Sequence, residues 1–283
     1  MLTSNGYVLD ERPERLGPLE PVPADERQDR DALWHRLRRD GYLYLPGHLP
    51  AREVLDFRRF YFSAMRGTGL VPDDDRAPAG IDAGEEIDRA LLRHRLFEAI
   101  VPSAEYERLC TLPRIRDWFA WLLEDRVHLH RRRIIRHTRP GESGIGTATQ
   151  AHYDLVYLRA GTDRVLSLWI PLGDCPRQRG GLTYLEGSHR RVLREEAQGR
   201  LRRPAASITA DLPALAQEHD ARWLVTDYAA GDVVVHSAHI IHAALDNVDR
   251  TGTLRLSTDI RYQRAGDPID WRWQNLWHDA DGL

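Results

Sequence analysis

Gln150-Ala-His152-Tyr-Asp154 sets an imidazole and a carboxylate two residues apart. In an extended segment residues i and i+2 project to one face, so both side chains can reach a single ion. The downstream run Gly231-Asp-Val-Val-Val-His236-Ser-Ala-His239-Ile-Ile-His242 offers three candidates for a further donor. Two imidazoles and one carboxylate on one side of a metal leave positions open for a bidentate oxoacid and for dioxygen, the donor set of non-haem ferrous oxygenases. A bare histidine-X-aspartate arises readily by chance, and a solitary histidine is more commonly packed or hydrogen bonded than metal bound. The rest of the sequence has to decide.

Part of that decision lies at Arg255 and Ser257, two residues apart on a segment that reads as the last strong strand. A fixed guanidinium grips a carboxylate through two parallel hydrogen bonds, and a neighbouring hydroxyl adds another. The distal end of a dicarboxylate cosubstrate requires that pair.

The elements that must position these residues change character near Arg126. Before it the period is helical. Residues 25–40 put Leu33, Trp34 and Leu37 on one face and stop at Gly41, residues 42–45 read as a short strand, and further helices are expected over 51–65, 103–111 and 113–124. Residues 1–24, rich in proline and charge, read as an extended arm. Residues 66–89 are dense in Gly, Pro and Asp and read as a mobile surface loop, with a lid over an active site as the sharper alternative. After Arg126, short β-rich runs at 127–130, 165–170, 182–185, 223–225, 232–236 and 254–262 are separated by Gly, Pro and Asp turns, which points to a sandwich or closed barrel. The expectation is one domain over residues 1–283: a mainly helical part at 1–125, a mainly β core at 126–265, and an aromatic C-terminal strap at 266–283 that closes over the barrel, roofs the site or meets a second copy.

Bulk composition narrows the function classes. A formal net charge of -3 over 283 residues gives no reason to expect nucleic acid or an anionic membrane as partner. No run of apolar residues is long enough for a membrane span, and the N-terminus lacks the apolar core of a signal peptide. Cys110 and Cys175 are too few for a disulfide framework and are expected as free thiols. The expectation is a soluble, cytoplasmic enzyme.

Taken together, these pieces resemble the phytanoyl-CoA dioxygenase family of Fe(II)/2-oxoglutarate oxygenases. The matching segments are Asp40-Gly-Tyr-Leu, Gln150-Ala-His-Tyr-Asp154, Trp169-Ile-Pro-Leu-Gly-Asp-Cys175, Gly180-Gly-Leu-Thr-Tyr-Leu-Glu-Gly-Ser-His189, Gly231-Asp-Val-Val, His242 with Asn247 after it, and Arg255-Leu-Ser257. They occur in the family's order. The resemblance implies a double-stranded β-helix, or jelly roll, with flanking helices. It implies Fe(II) held by His152, Asp154 and His242, and 2-oxoglutarate held at its far carboxylate by Arg255 and Ser257. The products beside the oxidised substrate would be succinate and carbon dioxide. The interval from His242 to Arg255 is longer than the family's usual spacing, and the extra residues are assigned to the Val248–Gly252 turn, with Arg250 as a rival for the carboxylate. His236 and His239 are rivals for the third ligand, and His189 is assigned a structural role. Halogenating relatives lack the carboxylate that Asp154 supplies, so hydroxylation or another oxidation is favoured.

The substrate is read less sharply. Arg126-Val-His-Leu-His-Arg-Arg-Arg-Ile-Ile-Arg-His-Thr138 is strongly basic for a strand. Charge protecting a sheet edge explains it, and Arg133 or Arg136 facing the barrel mouth would meet the oxoacid or an anionic substrate group. Tyr157 is expected to line the pocket, Trp169 to lie in the core, and Tyr153 to face away from the ligands. The expected partners are dioxygen and a small molecule of specialised metabolism. A non-catalytic jelly-roll barrel and a zinc hydrolase are the alternative functions.

Overall fold

The computed structural model of the chain describes residues 1–158, 160–201 and 207–278. Twelve strands and seven α-helices are described: β1 (Thr3–Ser4), β2 (Tyr7–Val8), β3 (Leu16–Pro18), α1 (Arg30–Asp40), β4 (Tyr42–Leu45), α2 (Ala51–Ala64), α3 (Arg89–His94), α4 (Ala104–Cys110), α5 (Pro113–Leu123), β5 (Val127–Leu129), β6 (Ile134–Thr138), β7 (Leu166–Pro171), β8 (Leu182–Leu185), α6 (Ser188–Ala197), α7 (Leu212–His219), β9 (Trp223–Val225), β10 (Val233–Ser237), β11 (His242–Ala244) and β12 (Arg255–Arg264).

Two sheets carry the architecture. The larger runs β4-β10-β7-β12-β5, with β6 also paired to β12; the smaller runs β11-β8-β9-β3. The long β12 takes β6 along its first half and β5 along its end, with β7 on its other side. Strict alternation decides what each face meets. On the larger sheet Leu166, Leu168, Ile170, Val233, Val235, Leu256 and Ile260 face outward and pack with Leu33, Phe57, Tyr106 and Phe119 of the helices. On its inner face Trp169 and Val234 meet Leu182, Tyr184 and Leu224 of the smaller sheet. The outward residues of the smaller sheet, Leu185, Trp223, Val225 and Ala243, are covered by α7 and by Leu2 and Leu9 of the N-terminal arm. Two facing sheets with helices on the outside form the jelly roll that the resemblance implies.

Local chemistry supports the element boundaries. Asp29 accepts from the amide of Ala32 to cap α1, and Gly41, at φ 81, ends that helix by donating to Leu37 O. Both cysteines are buried and free. No helix among the described residues is long and apolar enough to cross a membrane.

Several expectations need correction. The arm is extended but is not peripheral: Leu2, Leu9 and Leu19 are buried, and β3 adds a parallel strand to the smaller sheet. Residues 66–89 lie partly on the surface but are anchored to the fold. Leu70, Val71 and Ala77 are buried in the main core, and Asp82 is paired with Arg139 at 2.8 Å. The basic run of residues 126–138 forms two edge strands, not one, broken at 130–133. Helices α3, α6 and α7 were not anticipated. Strap residues 279–283 lie outside the described residues.

Candidate metal centre

The histidine-X-aspartate segment is not a regular strand. His152 makes an isolated antiparallel bridge to His242 at the end of β11, and Asp154 opens a 3-10 turn, Asp154–Val156. The bridge is a reciprocal pair, His152 N to His242 O at 3.0 Å and His242 N to His152 O at 2.9 Å. Directly opposed residues project to the same face, so the two imidazoles lie side by side with centroids 4.2 Å apart. Tyr153 faces the other way, into the outer cluster with Leu185 and Trp223.

Each of these imidazoles carries a backbone tie. His152 Nδ1 is 2.9 Å from Gln150 O and His242 Nδ1 is 3.0 Å from Ile240 O. A ring whose Nδ1–H donates to a carbonyl presents the Nε2 lone pair at its other end. Those two Nε2 atoms stand 3.7 and 3.8 Å from the same oxygen, Asp154 Oδ1. The three donor atoms all lie within 4.8 Å of one another and all three residues are buried. Burial holds both imidazoles below the usual histidine range, and for His242 the neighbouring His152 and His236 add to it. Burial alone would raise the Asp154 carboxyl, but Arg261, His236 and His242 hold it well below the carboxylate range. Two neutral imidazoles and one carboxylate, with lone pairs converging, fit a divalent ion of the borderline kind.

The other carboxylate oxygen is occupied by protein. Ser167 Oγ donates to Asp154 Oδ2. Arg261 spans the carboxylate with Nε to Oδ2 at 3.2 Å and Nη2 to Oδ1 at 3.0 Å. Arg261 in turn lies under Trp273, its guanidinium carbon 4.5 Å from the ring centroid.

The rival histidines separate cleanly. His236, on β10, has Nδ1 3.0 Å from the Tyr184 hydroxyl and Nε2 3.5 Å from Asp154 Oδ2. His236 Nδ1 is taken up by the Tyr184 hydroxyl, which burial keeps protonated, and His236 lies outside the group of converging donors His152, Asp154 and His242. His239 pairs with Glu196 at 2.8 Å, in a separate group with Asp163. His189 lies against the end of α1, with Nε2 3.1 Å from Arg38 O. Arg250 is exposed in the turn before β12, where Asn247 bonds to Thr138 O and Thr253 O and closes the loop that holds the extra residues.

Arg255 and Ser257 line a cavity together with His152, His242, Asp259 and Arg261, and Arg255 Nη1 donates to Ser257 Oγ at 2.5 Å. Among the described residues, buried Arg255 Nε has no hydrogen-bond partner. An adjoining chamber of about 260 Å³ is lined by Arg132, Arg136, Gln150, His152, Tyr157, Ser207, Arg261 and Trp273. Tyr157 thus lines the pocket, with its ring 5.6 Å from that of His152. Trp169 is 1% exposed, in the core, with an edge on the inner cavity. No described residue of 66–89 lines either cavity.

Arg133 is a correction. It pairs with Glu107 at 2.6 Å and lies over the Tyr106 ring on the helical side. Alternation along β6 gives the reason: Ile134 and Arg136 face the cavities, whereas Ile135 packs in the helical core and His137 bonds to Tyr61. Position 133 shares the parity of 135 and 137. Sequence reading did not single out Arg261, Ser167 or Arg132, whereas Trp273 belongs to the strap expected to close over the barrel or roof the site. Two of them carried signals: Arg261 shares the parity of Arg255 and Ser257 on one strand, and Ser167 is a lone hydroxyl inside an apolar run.

The comparisons with known proteins agree with this geometry. The family model for phytanoyl-CoA dioxygenase (PhyH) matches residues 37–253. The 1-deoxypentalenic acid 11-beta-hydroxylases of Streptomyces exfoliatus and Streptomyces arenae are each 25% identical, over 84% of this chain and 82% of their own. Among solved structures, the epimerase SnoN from nogalamycin biosynthesis, in complex with Fe3+, alpha ketoglutarate and nogalamycin RO, aligns at TM-score 0.57 with 24% identity over 85% of each chain. EctD from S. alaskensis, with 2-oxoglutarate and 5-hydroxyectoine, aligns at TM-score 0.57 with 19% identity, over 93% of this chain and 88% of that one. These structural likenesses establish the shared fold.

Proposed function

Because this chain belongs to the phytanoyl-CoA dioxygenase family of Fe(II)/2-oxoglutarate enzymes, we propose that it oxidises an unactivated C–H bond of a small molecule in specialised metabolism. His152, Asp154 and His242 hold the iron, and Arg255 with Ser257 holds the far carboxylate of 2-oxoglutarate. Ferrous iron with 2-oxoglutarate supplies the oxidising chemistry, coupling reduction of dioxygen to decarboxylation of the oxoacid to succinate and carbon dioxide.

The chain's own residues do the positioning. The Nδ1 ties of His152 and His242 fix both lone pairs, and Ser167 and Arg261 turn Asp154 so that Oδ1 faces the metal. Arg255, buried and with Nε unpartnered, waits for an anion. Tyr157 and Trp273 wall the adjoining chamber. The names of the two Streptomyces relatives, hydroxylases of an organic acid, support a small-molecule substrate.

One observation carries the reading: three donor atoms converge within 4.8 Å beside a cavity that also holds Arg255 and Ser257. Anaerobic addition of Fe(II) and 2-oxoglutarate tests it. The expected result is a weak visible charge-transfer band that neither component gives alone, and succinate release once air and a substrate are supplied. Stoichiometric zinc binding with no such band and no succinate would overturn it.

A further inference from the structure

The chamber beside the metal centre carries more positive charge than the chemistry described above uses. Among the described residues, four guanidiniums, of Arg132, Arg136, Arg255 and Arg261, line the two adjoining cavities, and one carboxylate, of Asp259, lines them too. Arg261 is committed to Asp154, and Arg255 is assigned to the oxoacid. Arg136 faces the chamber from β6, directly across from Ser257 in the strand register. Its one side-chain hydrogen bond among the described residues is long, Nη1 to Thr149 Oγ1 at 3.4 Å. No carboxylate among the described residues lies within ion-pair distance of it. Arg132 is held in the chamber wall, stacked on Trp273 at 4.8 Å with its amide donating to Trp273 O at 3.1 Å. Trp273 thus lies against both Arg132 and Arg261, so the strap fixes the chamber's charge relative to the iron ligands.

The rest of the lining is mixed: Ile134, Ala148, Tyr157 and Trp273 offer apolar surface, and Thr149, Gln150 and Ser207 offer hydrogen bonds. Arg136 lines the chamber and is open to solvent, so an anion can reach its guanidinium, whose fork suits a carboxylate. Resting on the function proposed above, we propose that the substrate is an organic acid with an apolar body, whose carboxylate docks on Arg136 and so sets which carbon faces the metal.

The test uses the full-length enzyme with Fe(II) and 2-oxoglutarate under anaerobic conditions. Cyclohexanecarboxylate, adamantane-1-carboxylate and 1-naphthoate are titrated in, each beside its methyl ester, and the visible band is followed; succinate release is then measured in air. At least one acid is expected to shift the band while its ester does not. Arg136→Gln is expected to weaken that acid at least about 10-fold, as loss of a charge-assisted hydrogen-bond pair implies, with the Fe(II)/2-oxoglutarate band itself retained. Arg136→Lys is expected to recover part of the loss. The proposal is overturned if esters act as well as acids, or if no acid shifts an intact band up to its solubility limit. It also fails if Arg136→Gln abolishes the band, since Arg136 would then hold the oxoacid. Absence of the band in the wild-type enzyme would instead defeat the function beneath the proposal, and the proposal with it.

Discussion

Arg261 spans both oxygens of Asp154, at 3.2 and 3.0 Å, from the same strand face that presents Arg255 and Ser257. One strand, β12, therefore serves both the metal carboxylate and the cosubstrate carboxylate. Arg261→Lys keeps the charge and removes the fork. It is expected to weaken ferrous-iron affinity about 10-fold, at the lower end of what supporting groups around metal ligands contribute. Competition against a chelator measures this, and unchanged affinity would show that Ser167 alone orients the carboxylate.

His242 and His236 have centroids 4.5 Å apart, yet only His242 has its Nδ1 tied to a backbone carbonyl. His242→Ala is expected to lose stoichiometric iron binding. His236→Gln is expected to keep it, because His236 lies outside the group of converging donors. Metal content after anaerobic loading and desalting separates the two, and the reverse pattern would make His236 the ligand.

Arg255→Gln removes the grip expected for the far carboxylate of 2-oxoglutarate. Charge-assisted hydrogen bonds contribute about 1.5–3 kcal/mol, so KM for 2-oxoglutarate is expected to rise roughly 10- to 100-fold. Steady-state succinate assays over a range of oxoacid concentrations check this. A fall in kcat at constant KM would place Arg255 elsewhere in the reaction.

Burial pushes His130 and His137 down to about 4, with Gln263 opposing it at His130 and Arg255 and Arg139 adding to it at His137. In the unfolded chain both titrate near 6.5, so between these values the unfolded state binds more protons. Their contribution is intact above about pH 6.5 and is lost as pH falls towards about 4, at up to roughly 1.4 kcal/mol per unit for each ring. Denaturant unfolding at stepped pH is expected to show this decline; a flat profile over that window would refute it.

Gly41 ends α1 in the left-handed region at φ 81, and a β-carbon there would sit 2.7 Å from His189 Nδ1. Gly41→Ala is therefore expected to destabilise the fold by about 1–3 kcal/mol. Thermal or denaturant unfolding reads it out, and a neutral effect would mean that His189 and the α1 end can shift freely.

Much of this was legible in the sequence because local rules were enough. The helix over 30–40, its stop at Gly41, the β-rich runs after Arg126 and the histidine-X-aspartate pair follow from periodicity and residue type. The choice of His242 over His236 and His239 was not fixed by spacing and rested on the resemblance. The structure separates them by strand pairing, which sets His242 opposite His152 and leaves His236 facing Asp154 across the barrel. Arg133 was misread because a basic run carries no mark of where its strand starts, and one residue of register sends a side chain to the opposite face. Arg261, Ser167 and Trp273 join the site from segments far apart in sequence. Which side chains share one small volume depends on sheet order and closure, long-range properties that no local pattern encodes.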